Sequence, residues 1–275
     1  MNEALGHKIS IVTPRPQTTR KRVLGILTGE GYQIVFVDTP GLHTLKRKGL
    51  YEYMRQATNR AIAESDIIAY MTDATSALED DAPFLEQIRN ASAAKFLLIN
   101  KIDLVKKSSL LSMIDEYSRA FEFDEVVPLS ALKNDGVDLF VELVVKHLPK
   151  GPPYYPGDQI TDQSVRSIAA EIVREKLFVA LKQELPYSVA VDVEEFKYRS
   201  NNVIYIRAIV VVEKESQKQI VIGRGGAMIK RVGQLAREEL EAMLGRRVFL
   251  ELFVKVRKDW SKNRRMLASL GFEKP

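Results

Sequence analysis

Over residues 1–150, short apolar runs alternate with stretches of helical period, and this pattern limits the possible folds more than any other feature. Tyr32–Val37 (YQIVFV) runs into Asp38, and Ile67–Met71 (IIAYM) follows. Phe96–Ile99 (FLLI) runs into Asn100, and Glu125–Leu129 is a weaker fourth run. A further strand is expected over Val23–Thr28. Helix-period segments lie near 50–64, 81–91, 108–121 and 136–148. Apolar strands spaced by helices imply βαβ units and a parallel sheet buried on both faces. In such sheets ligands sit beyond the carboxyl ends of the strands. The polar residues at those ends are therefore the candidates for chemistry.

The alternation stops at Lys150-Gly151-Pro152-Pro153-Tyr154-Tyr155-Pro156-Gly157-Asp158. Three Pro and two Gly within nine residues suit neither helix nor strand. The expected organisation is a first domain over 1–150, a linker over 151–160 and a second domain over 161–275. In the second domain, helical period covers Ser164–Gln183, and strands are expected over Ser188–Val193 and Val203–Val212. After Ile222-Gly223-Arg224-Gly225-Gly226 comes a long helix to about Leu244, then a strand over Arg247–Val256.

Charge separates the same two parts. Residues 1–150 carry 19 Lys and Arg against 20 Asp and Glu, whereas residues 151–275 carry 22 against 16. The basic part attracts polyanions, and the first part has no such need. The chain has no Cys, which excludes disulfides, thiolate catalysis and zinc–cysteine sites. Its three His (His7, His43, His147) are scattered. No uncharged run approaches the length of a membrane span, and no signal-peptide apolar region opens the chain. The expected location is the cytoplasm.

Two strand ends carry motifs with a chemical reading. Asp38-Thr39-Pro40-Gly41 follows the first run. An Asp there can hold Mg²⁺ through water, and Gly lets its N–H approach a γ-phosphate. By itself the same string is also a plain turn. Asn100-Lys101-Ile102-Asp103 follows the third run. The Asp103 carboxylate can accept from guanine N1–H and N2–H₂, which adenine lacks, and the Lys101 stem can lie on the base. Ser130-Ala131 follows the fourth run, where backbone groups could contact guanine O6. Asn100 lies 59 residues after Gly41, and Ser130 lies 27 after Asp103. The three motifs in order, each after a strand, point to a guanine-nucleotide fold. Upstream, Gln17-Thr18-Thr19 belongs to a polar switch-like loop. Thr19 is the preferred Mg²⁺ ligand when a γ-phosphate is bound, and Thr18 is the alternative.

In the second domain, the Gly223–Gly226 turn has no side chain at either end, so an RNA backbone can pack closely against it. Arg224, with Lys230 and Arg231 one turn later, supplies positive charge. The plain alternative is a turn that merely joins two helices.

With these pieces in order, the sequence resembles the Era family of ribosome-assembly GTPases, a GTPase domain joined to a type II KH domain. The resemblance runs over essentially the whole chain through KISIVTPRPQTTR, FVDTPGLH, NKIDL, PLSAL, ITDQSVRSIAAEIVREKL, ELPYSV, VIGRGGAMIK and LELFVKVRKDW. It implies GTP/GDP and Mg²⁺ as ligands, and RNA binding coupled to the nucleotide state. The implied partners are small-subunit ribosomal RNA near its 3′ end and the 30S subunit. It also implies a monomer and, in some members, peripheral membrane association. Nucleotide contacts are expected from Asp38, Thr39, Pro40, Gly41, Leu42, Asn100, Lys101, Asp103, Ser130 and Ala131. RNA contacts are expected from Ile222, Gly223, Arg224, Gly225, Gly226, Lys230 and Arg231.

Members of the family begin with a strand and the phosphate loop GxxxxGK[ST], which this sequence lacks. Met1–Gly6 resembles the tail of the helix after that loop. The loop supplies most charge-assisted contacts to the phosphates, so weak GTP binding is expected without it. Its strand sits inside the sheet, so two neighbouring strands are expected to lose a partner. A truncated gene model or fragment accounts for this, and the rival is a short chain that binds RNA without hydrolysing nucleotide. Leu42 stands where Ras-type GTPases place a water-orienting Gln, so hydrolysis, where it occurs, is expected to be slow. No side chain stands out as a general base.

Overall fold

The structure is a computed structural model that describes residues 1–13, 18–41, 49–181 and 185–272. Gln17 and Leu42 lie outside the described residues. The chain divides into two compact units. One comprises residues 1–8, 22–44 and 57–162, and the other 9–21, 45–56 and 163–275. Past the proline-rich segment the chain passes from the first unit to the second after Asp162. Two segments from early in the chain group with the second unit.

In the first unit, a short helix α1 (Asn2–Leu5) precedes the hairpin β1 (Val23–Gly29) and β2 (Tyr32–Asp38). The connection is Glu30-Gly31, with Gly31 at φ +81°, and so short a connection imposes antiparallel pairing. Helix α2 (Leu50–Glu64), whose residues up to Gln56 group with the second unit, leads to β3 (Ile67–Asp73), α3 (Leu78–Ile88), β4 (Ala94–Asn100), α4 (Lys107–Ala120), β5 (Glu125–Pro128) and α5 (Val137–His147). Strands β3, β4 and β5 form a parallel sheet in that order. Strand β4 is central, and its apolar run serves both faces. Phe96 and Leu98 pack with Val127, Phe140 and Val144, while Leu97 and Ile99 pack with Leu85, Ile88, Met113 and Tyr117.

Strands β2 and β3 belong to separate sheets and do not pair with each other. The inner edge of the parallel sheet is correspondingly open, with Met71 of β3 50% exposed. The proline-rich segment runs along the hairpin. Gln33 Oε1 accepts the Tyr154 and Tyr155 N–H groups, both at 2.9 Å. Ile26 N–H donates to the Ile160 carbonyl at 2.9 Å, and the Thr161 hydroxyl donates to the Leu24 carbonyl at 2.7 Å. A segment that cannot join a sheet through its prolines is held instead by side chains and by single backbone bonds at its end.

The second unit is built on α6 (Val165–Ala180), β6 (Ala190–Tyr198), β7 (Val203–Val212), α7 (Glu215–Ile222), α8 (Ala227–Leu244), β8 (Arg247–Val256) and α9 (Arg264–Ser269). Ser164 caps α6 by accepting the Ser167 N–H at 3.1 Å. The sheet order is β6-β7-β8, with β6–β7 antiparallel and β7–β8 parallel. Helices α6 and α8 cover one face through Val173, Leu177, Val232, Ala236 and Leu240. Part of the other face, around Ala190, Ile209 and Val211, is covered by Leu50, Met54, Trp260 and Phe272.

Segment 9–21 is fixed to this unit by Arg20, which is 4% exposed. Its guanidinium donates to the carbonyls of Pro186 (3.0 Å), Tyr187 (2.8 Å) and Val189 (2.5 Å). Burial, reinforced by Arg174, pulls its pKa down to about 9, so it is charged at neutral pH. Replacing Arg20 by Ala strands three carbonyls and is expected to destabilise the protein by about 3 kcal/mol or more. Chemical denaturation checks this, and a loss below about 0.5 kcal/mol, the range of ordinary surface changes, overturns the anchoring role.

Nearby, Arg174 forms an ion pair with Glu171 at 2.5 Å. Burial alone would raise the Glu171 carboxyl, but Arg174, Lys21 and Arg20 together hold it below its ordinary value. Its stabilising contribution is thus complete above the ordinary carboxylate pKa and is lost as pH falls through the depressed folded value. Glu171→Gln is expected to flatten the acid limb of the stability–pH curve, which thermal melts across that limb would show.

Candidate functional site

Parallel pairing aligns the carboxyl ends of the sheet, placing Asp73 opposite Asn100 and Ile99 opposite Pro128. The Asn100 side chain ties two of the following loops together. Its Oδ1 accepts the Lys101 N–H at 2.8 Å and the Ala131 N–H at 3.1 Å. Lys101 takes a left-handed conformation (φ +63°), which turns the chain sharply before the Ile102–Leu104 helical turn. The Leu129 carbonyl accepts Ile102 N–H at 3.3 Å and so fixes that turn to the end of β5.

This frame presents Asp103. The Ser130 hydroxyl, on a residue only 1% exposed, donates to Asp103 Oδ1 at 2.5 Å. The carboxylate is thereby oriented while its remaining lone pairs stay available. An oriented, exposed carboxylate can accept two parallel N–H donors from a planar base. The Lys101 ammonium pairs with Asp73, which holds the lysine stem across the sheet end. Burial would raise the Asp73 carboxyl, but hydrogen bonds from Lys101 and Thr75 bring it below its usual value. Sequence reasoning missed Asp73 because the strand was ended at Met71. The signal available was its place as the polar residue closing an apolar run.

Ala131 is also its loop's link to Asn100. Its N–H already donates to Asn100, so a ligand oxygen there shares a donor with the asparagine. At the end of β2, Asp38 and Thr39 are half-buried, Pro40 is buried, and Gly41 is exposed at φ +78°. The Thr58 hydroxyl donates to the Gly41 carbonyl at 3.3 Å. Asp38 lies in the first unit, whereas Thr18 and Thr19 lie in the segment grouped with the second. Among the described residues no cluster of three acidic, His or Cys side chains could enclose a metal. Mg²⁺ keeps several waters and takes one or two protein carboxylates plus substrate phosphates, and Asp38 is a carboxylate of that kind.

The second unit holds the other candidate surface. Gly223 closes α7 at φ +74°, and a Cβ there would lie 2.7 Å from Met228 Cβ, so glycine is required for packing. Gly225 and Gly226 also have positive φ (+57° and +80°), but an added Cβ would meet nothing within 4 Å. These two positions face open space. Arg224, Lys230 and Arg231 are exposed beside them, and Ile222 is half-buried at the rim. The turn leads directly into the N-terminus of α8, whose unpaired N–H groups favour an anion.

Both units are similar to known proteins. A KH domain model matches residues 184–261, and a 50S ribosome-binding GTPase model matches residues 1–101. The GTPase Era of Geotalea uraniireducens is 48% identical over 99% of this chain and 92% of its own length. That of Clostridium acetobutylicum is 44% identical over 100% of this chain and 93% of its own. Aquifex aeolicus Era Y63A bound to GDP·AlF4⁻ superposes with a TM-score of 0.93 at 38% identity, covering 98% of this chain and 93% of that one. Era in complex with MgGDPNP and nucleotides 1506–1542 of 16S ribosomal RNA also gives 0.93 at 38% identity, covering 98% and 92%. Among the described residues no helix is long and apolar enough to cross a membrane.

Proposed function

The chain belongs to the Era family of GTPases, and from that premise we propose that it is a GTP-dependent RNA-binding protein of small ribosomal subunit assembly. It acts in the cytoplasm. The observation that carries the nucleotide half is the Ser130–Asp103 hydrogen bond within a loop pair locked by Asn100. Asp103 reads the guanine edge, Lys101 lies against the base, and Asn100 keeps the two loops in register. Asp38 and Thr19 would each be a Mg²⁺ ligand, and the ion would supply positive charge against that developing on the phosphates. Gly41 lets its backbone N–H approach the γ-phosphate.

The RNA half rests on the open Gly225–Gly226 turn with its exposed cations. Single-stranded RNA near the 3′ end of the small-subunit rRNA lies along it. The relative solved with nucleotides 1506–1542 of 16S rRNA supports that choice of partner.

A direct test is fluorescence anisotropy with that rRNA fragment, with either a non-hydrolysable GTP analogue or GDP present. Affinities that differ by at least about fivefold are expected, the lower end of ordinary coupling between sites. Equal affinities in the two nucleotide states overturn the coupling, and no binding in either overturns the RNA assignment.

A further inference from the structure

The helices cover one face of the β6-β7-β8 sheet, and the Trp260 cluster covers only part of the other. The end of the sheet where β7 and β8 begin stays uncovered. There Tyr205 and Phe249 are register partners, with rings stacked at 6.0 Å and 20°. Phe249 is 51% exposed. The Arg199 guanidinium lies 4.3 Å above the Tyr205 ring and 5.8 Å from that of Phe249. At the same end but on the helix-covered face, Arg246 lies 5.5 Å over Tyr198, the register partner of buried Ile204 and itself 63% exposed. Arg247 begins β8 and is exposed.

The charge here has a definite sign. Among the described residues, Arg199, Arg246 and Arg247 form no ion pair. The carboxylates on the same face are engaged elsewhere, Glu195 by Lys197 and Arg207, and Glu251 by the Tyr205 hydroxyl and Arg207. Arg199 and Arg247 beside the exposed Phe249 ring, which stacks on the buried Tyr205, with Arg246 at the same sheet end, match an unpaired nucleotide strand. Phosphates meet the arginines, and a base lies on the ring. A protein partner would more naturally use apolar anchors ringed by charges of both signs.

We propose that this end of the sheet is a second RNA contact, distinct from the Gly223–Gly226 turn and taking unpaired nucleotides. The turn precedes the first residue of α8, and Gly245 and Arg246 follow its last. The eighteen residues of that helix separate the two places by about 27 Å at 1.5 Å per residue. A KH clamp holds about four nucleotides, so a short strand at the turn does not reach the platform. The proposal rests on the RNA-binding reading above.

The test compares two single-stranded RNAs, of about 6 and about 25 nucleotides, on the full chain, the shorter chosen to fill only the KH clamp. Three variants are used: Arg199→Glu with Arg246→Glu and Arg247→Glu; Phe249→Ala; and Arg224→Glu with Lys230→Glu. The triple variant should weaken the long RNA at least about tenfold and reduce the log–log salt slope by about 2, while sparing the short one. Phe249→Ala should weaken only the long RNA, by about fivefold or more, with the slope unchanged. The Arg224/Lys230 variant should weaken both. Thermal melts confirm that each variant is folded. Equal losses on both RNAs in the triple variant would mean general attraction and overturn the proposal. So would unchanged long-RNA affinity in the triple and Phe249 variants, which would leave the face to a protein partner. If the unaltered chain binds neither RNA, the RNA reading itself fails and takes this proposal with it.

Discussion

Replacing Asp103 by Asn is expected to reverse the base preference of the nucleotide site. In the proposed site the carboxylate accepts from guanine N1–H and N2–H₂, and the Ser130 hydroxyl at 2.5 Å holds it in one orientation. An amide at that position presents a donor where a second acceptor is required. Xanthine carries an oxygen at C2 in place of the guanine amine, so it suits the amide. Sites built to hydrogen-bond a substrate group discriminate by about 10⁴ or more when that group is mismatched. The quantity to measure is the ratio of GTP to XTP affinity by competition against a fluorescent guanine nucleotide. Because both ligands carry the same triphosphate, this ratio is independent of how strongly the phosphates are held. The variant should shift the ratio by at least about a hundredfold toward xanthine, roughly 2.7 kcal/mol. An unchanged ratio removes Asp103 as the base reader. Ser130→Ala should give a smaller shift of the same ratio, because it leaves the carboxylate in place and only frees its orientation.

The Gly225→Asp and Gly226→Asp pair is the second large expected effect. Two carboxylates placed in open space at this turn repel an RNA backbone and occupy the room its phosphate needs. RNA affinity should fall at least about a hundredfold, as the clamp loses its close approach and gains like charge. The positive φ values make these substitutions strained, at about 1–2 kcal/mol per residue for an ordinary side chain. Asp tolerates that conformation better than most. A modest fall in melting temperature with the fold intact is therefore the expected companion result. Gly223→Ala supplies the contrast. Its Cβ would press on Met228, so stability should suffer more than it does for a change at the open positions. A folded double-Asp variant that keeps its RNA affinity would remove the turn from the binding surface.

Much of the nucleotide site could be read from sequence because each of its parts closes an apolar strand. A run such as FLLI must be buried on both faces, and the polar residue that ends it must emerge at the sheet edge. Asn100, Lys101 and Asp103 therefore fell where the spacing placed them, as did Ser130 after the next strand. The Gly223–Gly226 turn was equally visible, since two helical periods cannot be joined through glycines without a break. Local chemistry is sufficient for such features, which involve neighbours within a few residues.

Other features depended on partners far along the chain. Arg20 reads as one more cation in a basic stretch, yet its acceptors are carbonyls 166 to 169 residues away. A buried acceptor must be satisfied by whatever the fold brings near. That requirement fixes residues 9–21 to the second unit, although they precede the first unit's strands in sequence. The Ser130 bond to Asp103 is likewise a product of parallel strand alignment, which composition and period leave undetermined. The aromatic–arginine platform joins residues from β6, β7 and the start of β8, brought together only by register. Sequence by itself determined the two folds and the motifs they display. The tertiary structure decided which polar groups are oriented, which segments follow which unit, and which face of the second sheet stays open, because burial and hydrogen-bond satisfaction are settled by the whole chain at once.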